Sequence, residues 1–277
     1  MSFDMPFRVP APVRMAHKNR IPYLFLEKGI LRVDGHCLLL CQAESAIEIP
    51  GSMVSCLMIE PGVSVTHEAM KLCGENGTLL MWVGEGGTRF YAAAHAHQDA
   101  SRVLRQAAIH TNQRERIAAA SRLYGLMFDD HMPPSFTIEK LRGLEGSRVK
   151  EIYVNLADKL GMVWQGREEK SALNTSIGFA TSCLYALCEV AILAAGYHPG
   201  IGVVHSGNPR SLVFDLADTV KFKTVVPLAF EIAATSPSNL NMAVRHGCRD
   251  LFSRESMFET LLGHLENIFG TDHDCHD

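Results

Sequence analysis

The hydrophobic period of this chain changes once, near residue 94, and the change restricts what the chain can fold into. Before it, apolar residues come in short runs closed by turn signals. In "YLFLEKGILRVDGHCLLLCQ" (23–42) the runs are separated by a turn at 27–29 and by Asp34-Gly35, a pair that strongly favours a hairpin. "MVSCLMIEPG" (53–62) reads as a strand closed by Pro61-Gly62, and "TLLMWVGEGGTRFYA" (78–92) as two strands around the glycine turn 84–87. Between them "VTHEAMKLCGENG" reads as one helix, with Thr66 as its cap, Glu68 in its first turn and Gly74 as its end.

After the change the spacing is helical. Residues 101–127 contain few breakers, "MPPSF" (132–136) is a stop, and 137–161 is helical again before Trp164-Gln165-Gly166. Residues 171–196 form an apolar helix that Gly196 can close. Ser211 can cap a further helix carrying Asp215 and Asp218, and Pro227 and Pro237 punctuate the chain beyond it. The expected fold class is α+β: an N-terminal β-rich domain, 1–93, followed by a larger all-helical domain, 94–277. With 47% hydrophobic and 20% charged residues, a sizeable core is available and disorder is not the default.

Several classes are disfavoured. The eight cysteines include no C-x-x-C pair and lie mostly in apolar surroundings, as reduced core thiols of a cytosolic protein do. The N-terminus lacks the apolar stretch of a signal peptide. "IGFATSCLYALCEVAILAAG" (177–196) is long enough to approach a membrane span, but Glu189 and the hydroxyl and amide side chains in and beside it favour a buried helix, so no membrane role is expected. The net charge of −4 argues against indiscriminate nucleic-acid binding, yet residues 101–150 hold nine Arg or Lys against five Asp or Glu, so a local basic face is available.

Two constellations carry chemistry. In "HPGIGVVHSGNPRSLVFDLADTVKF" (198–222), Asp215 and Asp218 fall three apart on a helix and so on one face. The Gly207-Asn208-Pro209 turn can bring His205 over that face. A histidine with carboxylates and no thiolate suits a hard divalent ion such as Mg²⁺ or Mn²⁺. By spacing alone, a solvated helix face or first-turn pairing with the helix dipole is the commoner explanation of two such aspartates. In "EKLRGLEGSRVK" (139–150), Glu145 lies between Gly143 and Gly146 inside a helical pattern. Helix-interior glycines cost about 1 kcal/mol each relative to alanine, which suggests that something approaches the backbone there. An ordinary surface pair of Glu145 with Arg142 or Arg148 is the simpler account.

Together, "LRGLEGSRVK" (141–150), "ATSCLYALCEVAILAAGYHPGIGVVHSGNPRSLVFDLADTVKF" (180–222), "VVPLAFEIA" (225–233) and "CRDLF" (248–252) resemble the CRISPR-associated adaptation integrase family. "IEPG" (59–62) and "TLLMWVGEGGTRFYA" resemble its type I-E subfamily. The resemblance implies a metal-dependent DNA endonuclease and integrase of a prokaryotic cytoplasm, joining 3′-hydroxyl ends of short duplex DNA into a CRISPR array. It implies a homodimer, and a small second CRISPR-associated protein bridging two dimers. It implies Glu145, His205 and Asp218 as ligands of Mg²⁺ or Mn²⁺, with Asp215 adjacent and Tyr185 near the site. Arg142, Arg148 and Lys221, with Arg102 and Arg105, would meet phosphate. Lys28 departs from relatives that carry an aromatic residue there. The alternative is a catalytically silent DNA-binding scaffold of the same complex.

Overall fold

The computed structural model of this chain describes residues 20–270 except 22, 95–99, 131–135, 165, 168, 170 and 236. The expected stop at 132–136 lies, apart from Phe136, outside the described residues, as do Gln165 and the acidic tail.

Strands come first: β1 (Leu24–Leu26), β2 (Gly29–Asp34), β3 (Cys37–Cys41), β4 (Ala46–Ile49), β5 (Cys56–Ile59), β6 (Val63–Val65), then α1 (His67–Asn76), β7 (Leu79–Val83) and β8 (Phe90–Ala94). They form two four-stranded sheets, ordered β4-β3-β2-β6 and β1-β5-β7-β8. The Asp34-Gly35 hairpin joins β2 to β3 antiparallel, with Asp34 opposite Cys37 and Gly35 at φ 59°, a value that suits glycine. In the second sheet β1, β5 and β7 run parallel and only β8 is antiparallel.

The continuous apolar runs "CLMI" and "LLMWV" now have a physical reason, because this parallel sheet is covered on both faces. Side chains alternate along a strand. Leu57, Ile59 and Leu80 therefore enter a small core with Leu31, Leu38 and Leu40. Cys56, Met58, Leu79, Met81 and Val83 enter the large core of the helices. Thr66 caps α1 by accepting from the Ala69 amide, as expected, but the helix runs past Gly74 and ends at Gly77, whose φ of 70° closes it.

The helices are α2 (Ser101–Thr111), α3 (Gln113–Phe128), α4 (Ile138–Lys159), α5 (Ala172–Ala194), α6 (Ser211–Lys221), α7 (Val225–Ala234), α8 (Leu240–Arg254) and α9 (Met257–Phe269). Strands followed by helices is the expected α+β order. The stretch 101–127 is divided at Asn112, which is extended and whose side chain accepts from the Arg114 and Glu115 amides to start α3. Ser211 is the first residue of α6 and does not cap it; its hydroxyl donates to Asn208 O at 2.8 Å. Pro227 sits in the first turn of α7, where its missing N–H costs nothing. By length and composition α5 could cross a membrane, yet most of it is buried within the protein, against α6, α7, α8 and α9. Its apolarity is that of a core helix.

Candidate active site

Helix α6 places Leu212, Val213, Leu216, Ala217 and Val220 in the core, and it buries Asp215 (1% exposed) and Asp218 (7%) with them. Two ionised carboxylates in such surroundings require compensation. Asp215 obtains it from the chain that precedes the helix. Its Oδ2 accepts from the amides of Val203 (2.5 Å) and Val204 (3.1 Å), and its Oδ1 from the amide of His205 (2.9 Å). The same Oδ1 lies 2.7 Å from His205 Nδ1. This hydrogen bond raises the His205 pKa against the opposing effect of burial. With Nδ1 engaged, Nε2 is the nitrogen left for a ligand, the arrangement in which a carboxylate fixes a metal-binding imidazole.

The 198–205 segment is also held from α2 and α3. Fully buried Gln106 donates to His198 O (2.9 Å) and Ile201 O (2.6 Å) and accepts from the His198 amide (2.9 Å). His110 Nδ1 lies 2.7 Å from Gly202 O, and Arg116 Nε donates to Val203 O at 2.7 Å. Inspection of the sequence missed these three residues. The available signal was weak: Gln106 and His110 stand four apart on one face of a helix, with Arg102 four residues before Gln106.

Asp218 is compensated by Lys221, whose ammonium ion-pairs with its Oδ1. Burial raises the Asp218 pKa. Burial draws the Lys221 pKa down, but the charge of Asp218 outweighs it and the net shift is upward. Lys221 is therefore committed to Asp218 inside the protein, a correction to its expected presentation to phosphate. Tyr185 stands beside this pair, half-buried, with its ring 5.1 Å from Phe214 and the Arg210 guanidinium 5.4 Å above it. Burial raises the Tyr185 pKa, and the charges of Lys221 and Asp218 both act on it.

Glu145 approaches on α4. Tyr124 of α3, which sequence inspection also missed, donates its hydroxyl to Glu145 Oε2 at 2.8 Å. Burial raises the Glu145 pKa, and the neighbouring Asp218 adds to it, while Tyr124, Lys221 and His205 oppose. The close approach expected at Gly143 and Gly146 is not made by this chain: a Cβ at either would meet nothing within 4 Å. Among the described residues, nothing covers that face of α4.

The basic residues divide sharply. Arg142 is exposed and its charge acts on His205. Arg148 is paired with Asp130 at 2.9 Å and lies over the Phe128 ring. Arg102 donates to Ala195 O at 3.0 Å, Arg116 to Val203 O, and Arg122 to Ile268 O at 2.6 Å. Arg114, Lys140, Arg142 and Lys150 remain exposed. The basic surplus of this stretch is thus partly structural.

Among the described residues, no group of three or more His, Cys, Asp or Glu side chains is drawn together closely enough to hold a metal ion. Compensation for the aspartates comes from within the chain, from backbone amides and His205 at Asp215 and from Lys221 at Asp218. The donor set nevertheless fits a hard divalent ion. Tyr124 engages one oxygen of Glu145 and Lys221 one oxygen of Asp218, leaving the second of each, while His205 retains Nε2. All three side chains act electrostatically on one another.

Fold and site define a class of α+β proteins in which a strand-rich part precedes a helical part built around a buried carboxylate–histidine centre. A family model described as CRISPR associated protein Cas1 matches residues 23–125 and 129–244, and the chain belongs to that family. It is 41% identical over 262 residues to the CRISPR-associated endonuclease Cas1 of Escherichia coli K12, covering 91% of this chain and 85% of that protein. It is 38% identical over 277 residues to the CRISPR-associated endonuclease Cas1 of Geobacter sulfurreducens, covering 97% and 89%. The crystal structure of a TtCas1–DNA complex superposes with a TM-score of 0.83 at 30% identity, covering 90% of this chain and 96% of that one. The family and fold expected from the sequence are borne out.

Proposed function

We propose that this chain is a divalent-cation-dependent DNA endonuclease and strand transferase of CRISPR spacer acquisition. In this role it would join the 3′-hydroxyl ends of a short duplex into a CRISPR repeat by phosphodiester transesterification. One observation carries the proposal: Glu145, His205 and Asp218, supplied by α4, the 198–205 segment and α6, lie near enough to act electrostatically on one another, and each is held by a partner at one atom while another stays available. Family membership and the naming of its relatives as endonucleases support it.

Glu145 Oε1, His205 Nε2 and the second oxygen of Asp218 are the atoms that would hold Mg²⁺ or Mn²⁺. When bound, the ion supplies a positive charge that polarises a phosphodiester. The protein's own part is placement and electrostatics. Asp215 keeps the His205 ring turned so that Nε2 points away from it. Arg142, exposed beside His205, is suited to receive a backbone phosphate. Arg148, tied to Asp130 and Phe128, supports that edge. The bare face of α4 at Gly143 and Gly146 lets a strand approach the backbone beside Glu145. Tyr185 borders the site and contacts it through Phe214 and Arg210.

The proposed assembly is a homodimer paired through residues 1–93, with residues 94–277 carrying catalysis and DNA. The small second CRISPR-associated protein bridges two dimers. Light scattering with and without that partner tests it, and a monomer at micromolar concentration in both cases counts against it.

The decisive experiment mixes the protein and its small partner with a short duplex bearing free 3′ ends and a supercoiled plasmid carrying a leader and repeat, with Mn²⁺ or with EDTA. Joined product is expected only with the ion. Glu145→Ala, His205→Ala and Asp218→Ala should each abolish it while retaining salt-sensitive DNA binding. Wild-type joining by any of the three removes that residue from the site, and joining by none of the proteins, wild type included, leaves the silent scaffold as the better account.

A further inference from the structure

Each candidate ligand has its own holding partner. His205 is held by Asp215 and Asp218 by Lys221, and both partners lie within the segment the sequence had already marked. Glu145 is different. It sits on α4, half-buried and flanked by glycines that no described residue covers, so its own helix constrains its carboxylate least. What fixes it comes from another helix.

Tyr124 lies on the core face of α3, which also buries Ala119, Ala120, Leu123 and Met127. Its ring stacks on Phe128 with centroids 6.3 Å apart and an interplanar angle of 12°. It is 2% exposed. A ring so enclosed has no freedom to swing, and its hydroxyl reaches Glu145 Oε2 at 2.8 Å, across the α3–α4 contact. A buried phenolic hydroxyl without a partner is costly, so the same contact also satisfies the tyrosine.

We infer that Tyr124 is a positioning residue for cation binding, holding Glu145 Oε2 so that Oε1 is presented to a divalent ion as a single, oriented oxygen. The inference rests on the metal-centre reading of Glu145, His205 and Asp218. Tyr124 touches neither ion nor DNA; it acts through Glu145. An unrestrained carboxylate would sample rotamers and both binding modes, and the ordering would then be drawn from the binding free energy of the ion.

The test is Mn²⁺ binding by the full-length protein, read from the free-ion electron paramagnetic resonance signal, for wild type, Tyr124→Phe, Glu145→Ala and Tyr153→Phe. Phenylalanine keeps the ring and removes only the oxygen. Tyr153→Phe is the control for loss of a buried phenol elsewhere, since Tyr153 OH accepts from Arg167 and does not bond Glu145. Tyr124→Phe should weaken Mn²⁺ affinity about 10-fold or more, the range typical of partners behind a metal ligand. Tyr153→Phe should leave affinity unchanged. Strand joining by Tyr124→Phe should recover as Mn²⁺ is raised, which a loss of catalytic groups would not allow. Wild-type affinity in Tyr124→Phe, with affinity lost in Glu145→Ala, overturns the role of Tyr124 and leaves the metal centre standing. Undiminished binding in Glu145→Ala overturns the metal-centre reading itself. Equal weakening in Tyr124→Phe and Tyr153→Phe also overturns the inference, because the effect is then general. A thermal melt accompanies each variant. If Tyr124→Phe does not fold, Phe128→Leu, which loosens the stacked ring but keeps the hydroxyl, must show weaker affinity for the inference to survive.

Discussion

Gly202 offers the sharpest test of how the His205 segment is held. A Cβ built there would stand 2.5 Å from His205 O, 2.6 Å from Asp215 Oδ2 and 3.0 Å from the Ser211 carbonyl carbon. Real Cβ contacts are not so short, and two of the three obstacles are backbone, so the segment or Asp215 must move. Gly202 is not among the glycines with positive φ, so the alanine backbone itself carries no strain. Its only intrinsic effect is a gain of about 0.4–1 kcal/mol from a less flexible unfolded chain. Against that stand overpacking, about 1–3 kcal/mol, and damage to at least one charge-assisted hydrogen bond to Asp215, about 1.5–3 kcal/mol. Gly202→Ala should therefore be destabilised by about 2–5 kcal/mol, read as a lower urea midpoint at unchanged slope. Joining activity should fall more than DNA binding, because His205 moves while Arg142 does not. A midpoint within error of wild type would show that Asp215 is not locked against this segment, and the account of how His205 is oriented would fail with it.

Three further outcomes are expected. Lys221→Met leaves Asp218 buried without its cation and should cost about 3–5 kcal/mol in EDTA; thermal melts should show Mn²⁺ recovering part of the loss, and an EDTA melt unchanged from wild type would remove Lys221 as the compensating charge. His264, 2.8 Å from Thr219 Oγ1, has its pKa lowered from 6.5 by burial and by Lys223. The unfolded chain then binds that proton more readily, so this contribution is whole above pH 6.5 and is lost as pH falls towards the folded value. Urea midpoints at several pH values should show His264→Gln less sensitive to acid than wild type, and parallel profiles would refute it. DNA affinity should fall with salt along a log–log slope of about −4 per protomer, from the exposed Arg114, Lys140, Arg142 and Lys150, and Arg142→Ala should make it shallower by about one unit; a slope near zero would exclude phosphate as the main contact.

The sequence made some levels of this molecule legible and hid others. The change from short runs to helical spacing located the passage from strands to helices, because period follows directly from which side chains are buried. The hairpin at Asp34-Gly35 and the Thr66 and Ser171 helix starts were readable because local chemistry decides them. The break at Asn112 was not, since asparagine caps a helix only where the chain direction also changes. In the site, Glu145, His205, Asp215 and Asp218 were visible as carboxylates and histidine in apolar or glycine-rich company. Their partners were not, because Tyr124, Gln106 and His110 read as ordinary core-facing residues of amphipathic helices, and only the packing of α2 and α3 gives them polar work. Lys221 was legible as a cation but not in its direction, since i+3 spacing from Asp218 permits an inward pair as readily as an outward charge.

The unequal burial of the candidate ligands bears on how such a site can work. His205 and Asp218 belong to a segment and a helix tied into the large core through Gln106, Arg116 and the apolar face of α6. Glu145 rides on α4, which fully buries only Leu141, Tyr153 and Ala157 and packs Ile138, Val149, Ile152 and Leu156 partly against the core. Two of the three donors are therefore fixed by the fold, and the third depends on how α4 seats against α3. A site built this way can keep its histidine and aspartate in place while DNA approaches the bare glycine face of α4, and it is completed when Glu145 is in register. The Tyr124 hydroxyl is the contact that sets that register, so a change at the α3–α4 seam should alter cation affinity before it alters the stability of the helical core.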